Sequence, residues 1–361
     1  MKLKKCCLMF GVICLMVTFL PLSGASAAAD VIKLKFANYF PPQSSQSKLS
    51  EDFIADFEER TNGRVKFQYF PGGSLLKAPA MIKGIEMGIT DIGLSHVSYT
   101  AGRFPVTEVC ELPHGYPTAW VACIIMNDFY EKFKPKEWDS VVPLWFHANG
   151  PSTLAMKNPI RKMEDFKGQT IRAPGRMAAV ISALGGTPAP TPIMESYDAV
   201  AKGVIQGVFV AAEGVRTFRF GEVVSAVTVS WNIGPSYPMY VAMNKRSYEK
   251  LPPDIRSILD KLAGEYREKF ALMWNYNDFP GIEFGRSQGA EIIELSQEEF
   301  DRWVEAVQPV FEEYVKEMVG KGFAESEVRG WIKFLNERKN VLLERQKQWH
   351  IKSITGPAEV R

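Results

Sequence analysis

Two helix-to-strand units, set far apart in the chain, constrain the fold more than any other feature. The first is Met81, Ile82 and Ile85 at helical spacing, feeding Gly88-Ile89-Thr90-Asp91-Ile92-Gly93-Leu94, a glycine-bounded run that reads as a buried strand. A weaker echo follows much later, with Ala199, Val200 and Val204 leading into Gly207-Val208-Phe209-Val210. Ahead of the first unit, Val31 to Phe36 reads as a strand, and Leu49, Phe53, Ile54 and Phe57 read as a helix stopped by Asn62-Gly63. Val65, Phe67 and Tyr69 then alternate with polar residues up to Pro71-Gly72-Gly73, which completes the opening of a βαβ unit. Two such units so widely separated predict two α/β lobes rather than one continuous sheet. The echo is too loose to be an internal repeat.

Further along, Asn158 to Gly168 reads as a loop with a short helical turn, leading into the strand Gln169 to Ala173 that Pro174-Gly175 stops. A helix over Met177 to Leu184, a short strand over Thr187 to Pro192, a strand at Tyr240 to Met243 and a helix opening at Leu251-Pro252-Pro253-Asp254 follow. The last third is helical. Ser296-Gln297-Glu298-Glu299 has the form of a capping box. The stripe Phe300, Trp303, Val304, Val307, Val310, Phe311, Tyr314 and Met318 reads as core, with a kink at Pro309. Residues beyond Gly356 read as frayed.

Composition narrows the class. The 361 residues carry 43 Lys+Arg against 41 Asp+Glu and are 46% hydrophobic, which excludes a disordered chain and gives no warrant for nucleic-acid binding. Lys2, Lys4 and Lys5 precede an apolar run from Cys6 to Leu20, followed by Pro21 and small residues from Ser23 to Ala29. This is the pattern of a signal peptide over residues 1–27, cleaved near Ala27; an uncleaved anchor is the alternative. Cleavage removes three lysines and no acid, taking the formal charge from +2 to −1. Cys6, Cys7 and Cys14 leave with the leader. Cys110 and Cys123 remain, to pair in an oxidising compartment or to stay as two buried thiols.

Catalytic constellations are missing from the sequence pattern. The four histidines (His96, His114, His147, His350) form no metal-ligand spacing, no phosphate-binding glycine loop follows a strand, and Gly93-Leu94-Ser95-His96-Val97 lacks the closing glycine of a nucleophile elbow. The reading is of a protein that is not an enzyme, with no cofactor and no metal. The most informative residue is Arg172. Alternation in Thr170-Ile171-Arg172-Ala173 sets it opposite Ile171 and Ala173, at the very end of a strand where an α/β crevice opens. Its planar fork suits a carboxylate or sulfonate; an internal ion pair is the bland alternative.

The run Glu164-Asp165-Phe166-Lys167-Gly168-Gln169-Thr170-Ile171-Arg172-Ala173-Pro174-Gly175 resembles a signature of the substrate-binding proteins of tripartite ATP-independent periplasmic (TRAP) transporters, DctP type. Thr61 to Val65 with Phe70 to Leu75, Gly88 to Gly93, and Glu195 to Val200 with Gly203 to Gly207 agree with it in order along the mature chain. The resemblance implies a type II-like periplasmic binding fold: two α/β lobes, an interdomain cleft, crossing hinge strands and long C-terminal helices. It places lobe I at residues 28–150 plus 239–280, and lobe II at 151–238 plus 281–361 with a long bracing helix. It implies a monomeric periplasmic receptor that binds a small organic acid by an arginine clamp at Arg172 and cleft closure. Delivery would be to the small and large subunits of an ion-gradient-driven permease. Receptors of ABC importers share the fold class, and a secreted hydrolase is a third reading.

Departures from the family pattern shape the expected ligand. Asn149-Gly150 is followed by Pro151-Ser152-Thr153 where many members have a second arginine, and Gln206-Gly207-Val208-Phe209-Val210 lacks the usual polar contact near Val210. The flanking candidates are Tyr39, His96, Tyr99, His147, Asn149, Glu213, Trp231, Asn232 and Tyr237. So aromatic a set fits a smallish or partly apolar anion (a monocarboxylate, keto acid, aromatic acid or sulfonate) better than a hydroxyl-rich sugar acid.

Overall fold

The computed structural model describes residues 31–361, so the leader read over residues 1–27 lies outside the described residues. The strands are β1 (Ile32–Asn38), β2 (Val65–Phe70), β3 (Ile92–His96), β4 (Val141–Ala148), β5 (Ser152–Met156), β6 (Thr170–Arg172), β7 (Thr187–Ala189), β8 (Gly207–Ala211), β9 (Ala226–Val229), β10 (Pro238–Asn244) and β11 (Glu291–Glu294). The α-helices are α1 (Ser45–Arg60), α2 (Met81–Glu86), α3 (Ala119–Phe133), α4 (Met177–Ala183), α5 (Ile193–Ala201), α6 (Ala212–Thr217), α7 (Lys245–Lys250), α8 (Pro253–Ser287), α9 (Gln297–Ala306), α10 (Pro309–Gly320) and α11 (Glu325–Gln348).

The strands make two sheets, one ordered β2-β1-β3-β10-β4 and the other β11-β9-β5-β8-β6-β7. β1 runs parallel to β2 and β3, and β8 parallel to β6. β10 is antiparallel to both of its neighbours, and β5 antiparallel to β8 and β9. The glycine-bounded runs that read as buried strands, β3 and β8, are buried at every position because helices cover their sheets. β4 carries Pro143, which a central strand would not tolerate. It lies at a sheet edge, and the β10 register slips between Val241 and Ala242 beside it.

Three segments carry the chain between the sheets: Asn149-Gly150-Pro151 from β4 to β5, residues 230–237 from β9 to β10, and α8. α8 packs on α1, α3 and β4 in one half of the molecule and on α6 and β11 in the other. Pro280 lies inside it, and at Gly281 a Cβ would stand 2.1 Å from the Ala212 carbonyl oxygen, so glycine is what lets α6 approach this closely.

The C-terminal third differs from its reading in three details. Ser296 caps α9 by accepting the Glu299 N–H at 3.3 Å, but the Glu299 carboxylate does not reach back to complete a box. It accepts instead from the Met163 N–H at 3.0 Å and the Trp303 indole at 3.2 Å, tying α9 to the turn ahead of β6. Pro309 starts a separate helix rather than kinking one, as its missing N–H allows at a first turn. Residues past Gly356 are folded, not frayed: Ala358–Val360 forms a helical turn, Val360 is buried, and the Ser353 N–H donates to the Val360 carbonyl at 2.7 Å. Cys110 and Cys123 are two buried free thiols, and the Cys123 Sγ lies 2.9 Å from the Ala148 carbonyl oxygen as its donor.

Candidate functional site

Parallel strands end where a ligand of an α/β protein is expected, and the two sheets point those ends at one another. β1 runs out into Tyr39 and Phe40, β3 ends at His96 with Tyr99 in the turn beyond, β6 ends at Arg172, and β8 leads through Val210 to Glu213 at the start of α6. Asn149 and Tyr237 come from two of the segments that join the sheets, and Trp274 from α8. With Ile193, Phe218 and Met239 they line a small, tightly walled cavity.

Arg172 is 2% exposed. Its Nε donates to the Thr191 carbonyl at 3.0 Å, Nη1 to the Tyr237 hydroxyl at 3.1 Å and Nη2 to the Tyr99 hydroxyl at 3.1 Å. All three acceptors are neutral, and no carboxylate among the described residues pairs with it. A guanidinium has five N–H groups, so one remains on each terminal nitrogen. The Tyr99 bond joins the two halves, because Tyr99 follows β3 and Arg172 ends β6. Tyr99 also accepts the Ile193 N–H at 3.3 Å, while Tyr237 donates to the Phe209 carbonyl at 2.8 Å and is itself placed by Asn149, whose Oδ1 accepts its N–H at 2.7 Å.

His96 stands beside this group, its ring 4.6 Å from that of Tyr237. Its Nδ1 accepts the Ser98 N–H at 2.9 Å, which assigns the proton to Nε2. Burial first, and then the nearby Arg172 cation, hold the imidazole well below its ordinary pKa. His96 is therefore a neutral donor through Nε2, and that atom is buried with no partner among the described residues. Burial lifts the Tyr39 and Tyr237 phenols above their usual range, so both stay protonated. It also raises the Glu213 carboxyl to about 7, despite hydrogen bonds from Thr217 and Gln46 that favour the ionised form.

Seven of the ten sequence candidates thus meet at one cavity: Arg172, Asn149, His96, Tyr99, Tyr39, Glu213 and Tyr237. Three do not. Alternation along β4 turns His147 with Trp145 toward α8, where the His147 Nδ1 accepts the Trp274 indole N–H at 2.8 Å. Burial takes the His147 pKa down to about 3, so it orients a wall residue as a neutral ring without lining the cavity. Trp231 packs its ring 5.2 Å from Phe300, and the Asn232 amide donates to the Phe300 carbonyl at 2.9 Å. Both fasten the return segment to α9. Phe40, Ile193, Phe218, Met239 and Trp274 are wall residues that sequence reasoning did not single out; each is apolar and looks like ordinary core until the two halves are placed face to face.

Two lobes, a cleft at their strand ends, and a buried cation facing it define a solute-binding receptor of the periplasmic type. The model of the bacterial extracellular solute-binding proteins, family 7, matches residues 36–317, and the chain belongs to that family. It is 25% identical over 294 residues to the C4-dicarboxylate-binding periplasmic protein DctP of Rhodobacter capsulatus, covering 80% of this chain and 87% of that one. A TRAP periplasmic solute-binding protein from Desulfovibrio salexigens superposes with a TM-score of 0.74 at 28% identity, over 84% of this chain and 95% of that one. A TRAP solute-binding protein from Rhodoferax ferrireducens, solved with copurified benzoate, superposes with a TM-score of 0.81 at 24% identity, over 87% of this chain and all of that one.

Proposed function

We propose that this chain is a periplasmic receptor that captures a small organic monoanion between its lobes and delivers it to an ion-gradient-driven TRAP permease. Arg172 seats the anionic group through its two remaining N–H donors, and the His96 Nε2–H and the free amide nitrogen of Asn149 add further donors. The lobes are residues 28–150 with 239–280, and 151–238 with 281–361. Capture needs no bond chemistry: the closed state gains contacts from both halves, and that differential shifts the equilibrium toward it.

The observation that carries this reading is a buried guanidinium bonded only to neutral oxygens. Such a cation is costly unless an anion completes its shell. The relatives named above include a C4-dicarboxylate binder and a protein holding benzoate. The cavity favours the second kind, since Arg172 is its one cationic lining residue and would leave a second carboxylate without a cation. Thermal-shift and calorimetric titration against benzoates, mandelate, keto acids, aryl sulfonates, succinate and uronates tests this. Aromatic monoanions are expected to raise Tm and succinate to leave it unmoved. An Arg172→Ala variant that binds with unchanged affinity would show the site to be misplaced.

A further inference from the structure

The cavity has two unlike ends. At one lies the Arg172 group. At the other lies Glu213, 3% exposed, on the first turn of α6. Its Oε2 is held by the Thr217 hydroxyl at 2.7 Å and by the Gln46 amide nitrogen at 3.3 Å. Its Oε1 receives no hydrogen bond from the described residues, and the Oε1 of Gln46, a fully buried residue, has no partner either. Asp278 is the neighbouring buried acid, and it is occupied: it accepts the Glu213 N–H at 3.0 Å and the Thr355 hydroxyl at 3.3 Å.

An aromatic wall joins the two ends. Tyr99, Tyr39, Phe40 and Phe218 follow one another with ring centroids 5.9, 4.3 and 6.2 Å apart, starting at the Arg172 partner and finishing at the C-terminal cap of Glu213's own helix. Donors in excess at one end, a Glu213 oxygen without a donor at the other, and flat apolar faces between them describe the complement of a bipolar molecule. The Glu213 carboxyl thus keeps one oxygen open to a donor from what the cavity holds.

We infer that Glu213 reads a hydrogen-bond donor on the ligand, so that the receptor selects an aromatic or partly apolar acid carrying a hydroxyl, amino or ring N–H group at the end away from its carboxylate. This rests on Arg172 seating the carboxylate, as proposed above. Glu213 is then a specificity-determining residue: a donor reaching Oε1 restores the stable ionised carboxylate, whereas an ether or a second carboxylate leaves it unsatisfied or repelled.

Calorimetry on the mature protein with benzoate and its hydroxy-, methoxy- and aminomethyl-substituted isomers at each ring position tests the inference. At least one hydroxy or aminomethyl isomer is expected to bind roughly tenfold or more tighter than benzoate, and no methoxy isomer is expected to do so. In Glu213→Leu that advantage is expected to fall within about threefold, and Glu213→Gln, which keeps one acceptor and the packing, is expected to lie between. A tighter aminomethyl than hydroxy isomer assigns an ammonium as the donor and the reverse assigns a neutral one, both in support. Equal affinities for benzoate and every donor-bearing isomer, or an advantage that survives in Glu213→Leu, would overturn it. If Arg172→Ala abolishes benzoate binding while the hydroxyl confers nothing, the Glu213 role alone fails. If no acid binds, or Arg172→Ala binds normally, the receptor reading fails with it.

Discussion

Replacing Arg172 by methionine should separate ligand capture from fold stability. In the free protein the guanidinium contributes three hydrogen bonds to neutral oxygens and no ion pair. Methionine is shorter but, like arginine's stem, unbranched, and it is adaptable in packing. After the change, the Tyr237 hydroxyl still donates to the Phe209 carbonyl and the Tyr99 hydroxyl still accepts the Ile193 N–H, so only the Thr191 carbonyl loses its described partner. One buried acceptor left without a donor costs about 1–3 kcal/mol, and removal of a buried, unpaired charge offsets part of that. Binding loses far more, because a desolvated carboxylate would face no cation: about 3–5 kcal/mol, or roughly 100- to 4000-fold in Kd. Urea denaturation without ligand and calorimetry with the best-binding acid read the two quantities independently. Large destabilisation with near-normal affinity would refute the reasoning, since it would make Arg172 a brace of the fold.

Glu213→Gln should gain stability relative to wild type as pH rises from about 4.5 to about 7, then hold a constant difference. The wild-type carboxyl titrates near 7 folded against an ordinary value of 4.5, so its favourable contribution at low pH disappears across that window; a pH-independent difference in melting temperature would contradict this. His147 works in the opposite direction: with a folded value of about 3, its contribution is full above about 6.5 and is lost on acidification, so an apolar replacement that packs should flatten the acid limb of the stability profile. Gly175→Ala should favour an open form, visible as a larger radius of gyration and weaker acid binding. Its φ is +60° and its Cβ would stand 2.5 Å from the Ser98 Cβ across the cleft; unchanged scattering and affinity would rule that out. Cys110 and Cys123 in the mature chain should be silent to thiol reagents when native and react as two equivalents in denaturant, because both are buried and burial raises both thiol pKa values.

Period and punctuation were enough to read the strands that carry the site. β3 and β8 announced themselves as apolar runs between glycines, and Arg172 as a cation at a strand end before Pro174-Gly175. β4 and β5 were not legible. Val141-Val142-Pro143-Leu144-Trp145-Phe146-His147-Ala148 has no clean alternation and holds a proline that only an edge position excuses. In the site, residues on strand ends could be chosen from local pattern, whereas Phe40, Phe218 and Trp274 become walls only through the approach of distant segments. Trp231 and Asn232 show the converse failure: an aromatic ring and an amide suited to a ligand, turned instead to α9 by contacts that no local signal encodes.

The long helix α8 is continuous across both sheets except for what Pro280 takes away. A proline supplies no N–H, so the ladder is one rung short there, and the adjacent Gly281 has no side chain to stiffen the contact with α6. Any relative tilt of the two halves loads this helix as a beam with a single notch. The notch sits two residues from Asp278, which grips the Glu213 main chain, so bending strain is delivered beside the binding cavity and not to either end of the beam.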